Sequence, residues 1–392
     1  MALNRFNIST DTGAPTLSGT AGDLVTVLDA VLVNGFNSGS CTITRSGSTA
    51  TATRTSHGFR DKAAVQIAGA SETEYNGVHR ITVLDANTFT FEVSGTPATP
   101  ATGSITCKQA SLGWTILYTG TNKRVYQQGA GSNGFVLRVD DTGTMLGIVR
   151  MAESATDVDT LVDPFPTTAQ VATHSVIHKS TAASSTTRAW IIQGDEASFN
   201  MFVYSTGSTG YGHFSFGDLF AFDVTDAFAT ICAPAWGSGT GNQASGWIGQ
   251  SHPTVNYAST TFSAATIGAS KSFAIARAAD QTTKSVGGTC YTPLPFAASS
   301  DWWGKTSSNL PLRTIAGTNR VALDGIVTDN TRLRGRVRGI LNPIENLSSG
   351  TLYDGEDYGQ PAGSQWYSVA IFENILVGGQ GSMLVQYSGE LE

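Results

Sequence analysis

The sequence predicts a mainly β chain: a multi-domain β-sandwich or barrel architecture with one N-terminal helix and an inserted small β-domain. Three observations predict it. Apolar and polar residues alternate with period 2 in many short runs, as half-buried strands require. Glycines number 44 of 392 residues, a share above the usual ~7%, and with abundant Ser and Thr they supply turns. Charged residues make up only 14%, against an average of about 25%, whereas helix-rich enzymes carry more Lys and Glu.

The N-terminus opens extended and meets Gly19-Thr20-Ala21-Gly22-Asp23. A helix is expected over residues 24–33, because Leu24, Val27, Leu28 and Val31 share one face at 3.6-residue spacing. Asp23 suits the helix dipole, and Asn34-Gly35 supplies the stop. Residues 41–107 read as a complete small β-domain. Val65-Gln66-Ile67, Ile81-Thr82-Val83 and the run 88–93 alternate, with turns at Tyr75-Asn76-Gly77 and Asp85-Ala86-Asn87. Strand patterns resume at 114–118, 124–127 and 135–139, so residues 1–40 and 108–150 are expected to form one domain interrupted by the insert. Residues 151–188 are expected to be a connecting segment with one short helix. Residues 189–392 form the expected larger β-domain, with strands at 189–192, 199–204, 217–224, 333–340, 366–372 and 383–387. Its low-charge stretch 233–312 is expected to form long loops.

Bulk properties exclude several roles. A net charge of −7 and a pI near 5.4 argue against a nucleic-acid partner. The opening MALNRFNIST has no apolar signal core, so no secretory signal is expected. No run of about 18 apolar residues occurs, so no membrane partner is expected. Of the four cysteines, Cys41 and Cys107 bracket the small domain and could be bridged or free; a reducing compartment favours free thiols. No CxxC pair is present, and no cofactor is expected.

Candidate sites are few. His174 and His178 have the i, i+4 spacing of a helical metal pair but lack the accompanying glutamate, so no metal site is assigned. The glycine run 237–241 lacks the Lys-Ser/Thr of a phosphate loop. Asp195-Glu196 and the acidic run at Asp354, Glu356 and Asp357 offer paired carboxylates of the kind a glycosidase needs, with solvated turns as the plainer reading. No catalytic residue is assigned. Arg332, Arg334, Arg336 and Arg338 alternate along one strand and would face one side. That face could be solvated, could pair with the Asp354, Glu356 and Asp357 loop or a neighbouring subunit, or could touch nucleic acid. These seven residues are the candidate inter-subunit contacts. Trp236, Trp247, Trp302 and Trp303 are the candidate surface-binding aromatics.

Several segments carry a resemblance. They are the run 13–22 (GAPTLSGTAG) with 32–36 (LVNGF), Gly113-Trp114 with 118–123 (YTGTNK) and Val125-Tyr126, 135–141 (FVLRVDD), 214–220 (FSFGDLF) and 336–340 (RVRGI). Outside residues 41–107 the chain resembles virion structural proteins of tailed bacteriophages. The insert resembles the small β-modules that decorate many phage head and tail proteins. The resemblance implies a non-enzymatic virion component, made in the host cytoplasm and assembled as repeated copies in a tail, baseplate, neck or head surface. Its partners would be copies of itself and other virion proteins. A receptor- or carbohydrate-binding tail protein, with a host-surface glycan as partner, is the alternative; a polysaccharide-degrading virion enzyme is the second.

Overall fold

The structure, a computed structural model, describes residues 3–170, 175–180, 182–204, 211–233, 235–236, 273–291, 322–329, 332–343, 350–354, 364–372 and 380–389. Among the described residues it is mainly β, with several antiparallel sheets, one substantial helix and no closed barrel.

The helix forms where its periodicity places it. Asp23–Leu28 is α-helical and Asp29–Asn34 continues as a π-helix, which ends at Gly35 with φ of 70°. Leu24, Val27, Leu28 and Val31 are fully buried. Gly22 precedes the helix with a left-handed φ of 92° and provides no side-chain cap. The cap comes instead from Asp141, whose Oδ2 accepts the Leu24 and Val25 N–H groups at 2.8 and 3.3 Å. Lys179, like Asp141 without exposure, pairs with Asp141 Oδ1 and donates to Thr20 O at 2.7 Å. The charge at the helix start is thus neutralised inside the protein.

The insert is a two-layer sandwich running from Phe36 to Gln109, a few residues wider than the sequence marks. One sheet has the order Phe36–Ser40, Gly103–Gln109, Ala64–Ala70, Gly77–Arg80; the other Thr42–Ser46, Thr49–Thr53, Thr88–Glu92, Thr82–Val83. Its own core, including Ile43, Val65, Ile67, Phe89 and Phe91, draws only on residues between Cys41 and Cys107. The turn at Asp85 forms as expected, with Asp85 Oδ1 accepting the N–H groups of Asn87 and Thr88. Two arginines fasten the module to the chain's ends. Arg60 pairs with Asp11, donates to Phe6 O at 2.9 Å and lies over the rings of Phe6 and Tyr387. Arg80 donates to the carbonyls of Asn4 and Gly389.

The body consists of a seven-stranded and a thirteen-stranded sheet, counted among the described residues. The smaller has the order Thr115–Gly120, Lys123–Gln127, Val136–Asp140, Leu146–Ala155, Ser175–His178, Ala235–Trp236, with Leu161–Phe165 also on Leu146–Ala155. Residues 151–188 are therefore no mere connection. Their polar composition hides strands that bury only some positions, such as Phe165, Val176 and Ile177. The larger sheet begins with Arg5–Ile8 paired to Trp190–Gly194. It curls far enough that Tyr211–Asp218 also meets Gln365–Phe372 through one parallel bridge.

Period 2 gives this curled sheet two interiors. Trp190, Ile192, Phe199, Met201, Phe214 and Phe216 point to one side, where they share a core with the helix and with Leu137 and Val149 of the smaller sheet. Ile191, Phe202, Ile231 and Ile275 point to the other, where they meet Phe6, Val337 and Val385. The expected boundary between residues 1–150 and 189–392 is therefore not a break in packing. The helix and both sheets bury one continuous apolar cluster.

Candidate functional site

The arginine strand and the sheet strands beside it hold a group of buried polar residues. The strand spans Leu333–Pro343, and its arginines do not share one environment. Arg332 precedes it and is exposed. Arg334 is fully buried: its Nε and Nη2 donate to Asp226 Oδ2 and Oδ1 at 2.6 and 2.9 Å, and its Nη1 reaches Asp329 Oδ2 at 3.2 Å and Arg277 O at 2.6 Å. Arg336 lies over the Phe220 ring, 5.6 Å from its centroid. Arg338 lies over the same ring at 4.3 Å and donates to Asp195 Oδ2 at 2.8 Å. Arg334 and Arg338 thus find carboxylates within the chain, and the fully buried Arg334 has no surface left to offer a neighbouring subunit. An unpaired guanidinium could not be desolvated to this degree; fork-shaped pairing with carboxylates makes it tolerable.

The glycines that follow Arg334 and Arg338 have a spatial reason. A Cβ on Gly335 would stand 2.4 Å from Phe220 O, and one on Gly339, where φ is 67°, 2.1 Å from Gln193 Nε2. The strand Phe220–Ala221 and the Gln193 side chain occupy that space.

Gln193 opens a buried network. It donates to Asn4 Oδ1 at 2.6 Å and accepts from Asn200 Nδ2 at 2.8 Å; Asn200 also donates to Arg338 O at 2.9 Å. Ser215 donates to Asn200 Oδ1, and Ser215 Oγ lies 2.9 Å from His213 Nε2. The His213 ring stacks on Phe202 at 4.6 Å with a 13° interplanar angle, and its Nδ1 has no hydrogen-bond partner. Burial pushes His213 down to about 3 from its ordinary 6.5. Burial also raises Asp218, against hydrogen bonds from Thr230, Gln128 and Asn133. Ser198, Asn200, Ser215, Asp218 and Arg338 line a small, partly open pocket with room for about one water molecule. Its chemistry is that of hydrogen bonding and charge pairing.

The other candidates fall as follows. Asp195 is fully buried; it pairs with Arg338 and accepts the Ala197 and Ser198 N–H groups at 2.9 Å. Glu196 pairs with Arg5 at 3.2 Å. This carboxylate pair is built into architecture. Asp354 lies on the strand Leu352–Asp354 opposite Gln365, and its side chain is outside the described residues, as are Glu356 and Asp357. Trp236 pairs through its backbone with Ser175; its side chain, and all of Trp247, Trp302 and Trp303, lie outside the described residues. So do His174 and the glycine run 237–241. His178 ends the strand Ser175–His178, a strand position rather than a helical one. No group of His, Cys, Asp or Glu able to hold a metal occurs among the described residues.

Sequence reasoning missed Asp226 and Asp329, single acids in turns with no periodic signature. It also missed Asn200, His213 and Ser215. Their signal was present: each sits at the alternate position of a run whose other face is aromatic, and such a face reads as solvated until the sheet curls over it. No helix among the described residues is long and apolar enough to cross a membrane. Comparison of the chain with protein-family models and with curated proteins finds no match.

Proposed function

We propose that this chain is a non-enzymatic structural component of a tailed-bacteriophage virion, assembling as repeated copies in a tail, baseplate, neck or head surface. The observation that carries this reading is the use made of the charged side chains. In a chain with only 14% charged residues, Arg60, Asp141, Lys179, Asp195, Arg334 and Arg338 are all held in internal ion pairs that tie distant elements together. The segments that carry the phage resemblance supply several of these parts. The run 135–141 ends in the helix cap Asp141, 214–220 includes part of the central strand Tyr211–Asp218, and 336–340 holds Arg338 beside Gly339. A low-charge body with a separately cored β-module fastened to its first and last strands suits a building block that meets copies of itself over broad surfaces.

The test is self-assembly of the purified full-length chain, followed by light scattering and negative-stain electron microscopy. Rings, tubes or a defined oligomer support the reading. A persistent monomer that binds or cleaves a bacterial surface polysaccharide overturns it.

A further inference from the structure

A dithiol lies where the inserted module closes. Cys41 and Cys107 are free thiols, buried in the module core. The strands Phe36–Ser40 and Gly103–Gln109 pair with Gly39 opposite Cys107, and the Cys41 N–H donates to Ile105 O at 3.1 Å. The two cysteines therefore sit diagonally on adjacent chain segments and share the module core.

Arg54 is fitted onto this pair. Its Nη1 lies 3.9 Å from Cys107 Sγ and 3.4 Å from Cys107 O. Asn37 holds the guanidinium through its carbonyl at 2.7 Å and its Oδ1 at 2.8 Å. Gly39 makes the room, since a Cβ there would stand 2.7 Å from the guanidinium carbon. Gly39 and Arg54 are half-buried, so the dithiol lies one side chain below the surface.

We infer that Cys41 and Cys107 form an oxidisable pair that staples the module shut, with Cys107 as the attacking thiolate, Cys41 as the resolving thiol, Arg54 as the positioning residue and a hydroperoxide as the oxidant. Attack of the Cys107 thiolate on a peroxide oxygen breaks the O–O bond. With one proton, hydrogen peroxide leaves as water and Cys107 becomes a sulfenic acid. The Cys41 thiol then attacks that sulfur, the S–S bond forms and the second oxygen leaves as water. Two electrons pass from the thiols to the peroxide. The local charges match these roles. The neighbouring Cys41 thiol and Arg54, whose Nη1 lies 3.9 Å from Cys107 Sγ, push Cys107 down to about 7 against its burial, whereas Cys41 is pushed up. Cys232 is the internal contrast: burial pushes it up to about 12, and among the described residues no second thiol is paired with it.

The test exposes the full-length chain to hydrogen peroxide, then denatures, alkylates and maps it by non-reducing peptide mass spectrometry. The expected product is a Cys41–Cys107 linked peptide, lighter than the two reduced peptides by two hydrogens, with Cys232 still alkylated. Cys41→Ser should leave a sulfenic acid on Cys107 that dimedone captures, and Cys107→Ser should leave Cys41 unoxidised. Arg54→Gln should slow the oxidation and move its pH midpoint upward, and Arg54→Lys should restore part of both. Full alkylation of Cys41 and Cys107 in the peroxide-treated wild type overturns the inference, whatever the variants do. An unchanged pH midpoint in Arg54→Gln overturns the role given to Arg54.

Discussion

Acid should weaken this fold through His213 in a way that one substitution isolates. The ring is without exposure, stacked on Phe202, and bonded on its Nε2 side to Ser215. A second ring proton would sit on Nδ1, which has no partner, so the native protein resists it. Burial places the native value at about 3, against an ordinary 6.5. Between those values the unfolded chain binds a proton that the native chain refuses. The contribution of neutral His213 is therefore complete above the unfolded value and declines as pH falls below it. Going from about pH 7.5 to about pH 4.5 spans roughly two pH units of that window, at ~1.4 kcal/mol per unit, so about 3 kcal/mol of stability should be lost through this residue. Asp141 and Asp218, both raised by burial, work in the opposite sense, because the native state takes up their protons first. Their effect cancels when wild type and His213→Gln are compared. Urea unfolding of both proteins across this pH range is the assay. Wild type should lose about 3 kcal/mol more than the variant. Parallel curves would refute the claim that His213 is held neutral by burial.

Three further expectations concern the framework. Leu28→Ala should cost about 2–5 kcal/mol in denaturant unfolding, since this helix residue is fully buried in the shared core; a cost under ~0.5 kcal/mol, typical of a surface site, would contradict that placement. Arg334→Ala should cost about 3–5 kcal/mol, because Asp226 and Asp329 would stay buried without their cation. Replacing Arg334 and Arg336 together with Glu should then unfold the chain rather than merely weaken assembly, which circular dichroism would register. Arg60→Ala should loosen the module from the first and last strands, seen as faster amide exchange at Phe6 and Tyr387 while the module's own core stays protected.

What could be read in advance follows from the range of the interactions. The helix was legible because its stripe is local, and the insert because alternating runs and Asx-type turns act over a few residues. The arginine strand was legible as a pattern and misread in its partners. Asp354, Glu356 and Asp357 were the nearest acidic cluster in sequence, but Arg334 pairs with the single acid Asp329 five residues before it and reaches back 108 residues to Asp226, and Arg338 reaches 143 to Asp195. Such pairings depend on how the sheet curls, which no local period encodes. The strands at Leu161–Phe165 and Ser175–His178 escaped notice for a different reason: the first carries Pro164 and only Phe165 is fully buried, so its composition reads as loop. The shared core was hidden too, because a strand such as Ser198–Tyr204 is buried on both faces and its run does not reveal two separate interiors.

The virion assignment is tested most directly by the protein composition of phage particles. Particles would be purified through a density gradient from the strain that encodes this chain, and their proteins quantified by mass spectrometry against the major head protein. The account predicts peptides from both the body and the 36–109 module, at a fixed stoichiometry of several copies per particle. Intact, infectious particles that lack the chain, while the chain remains soluble in the lysate, would contradict it.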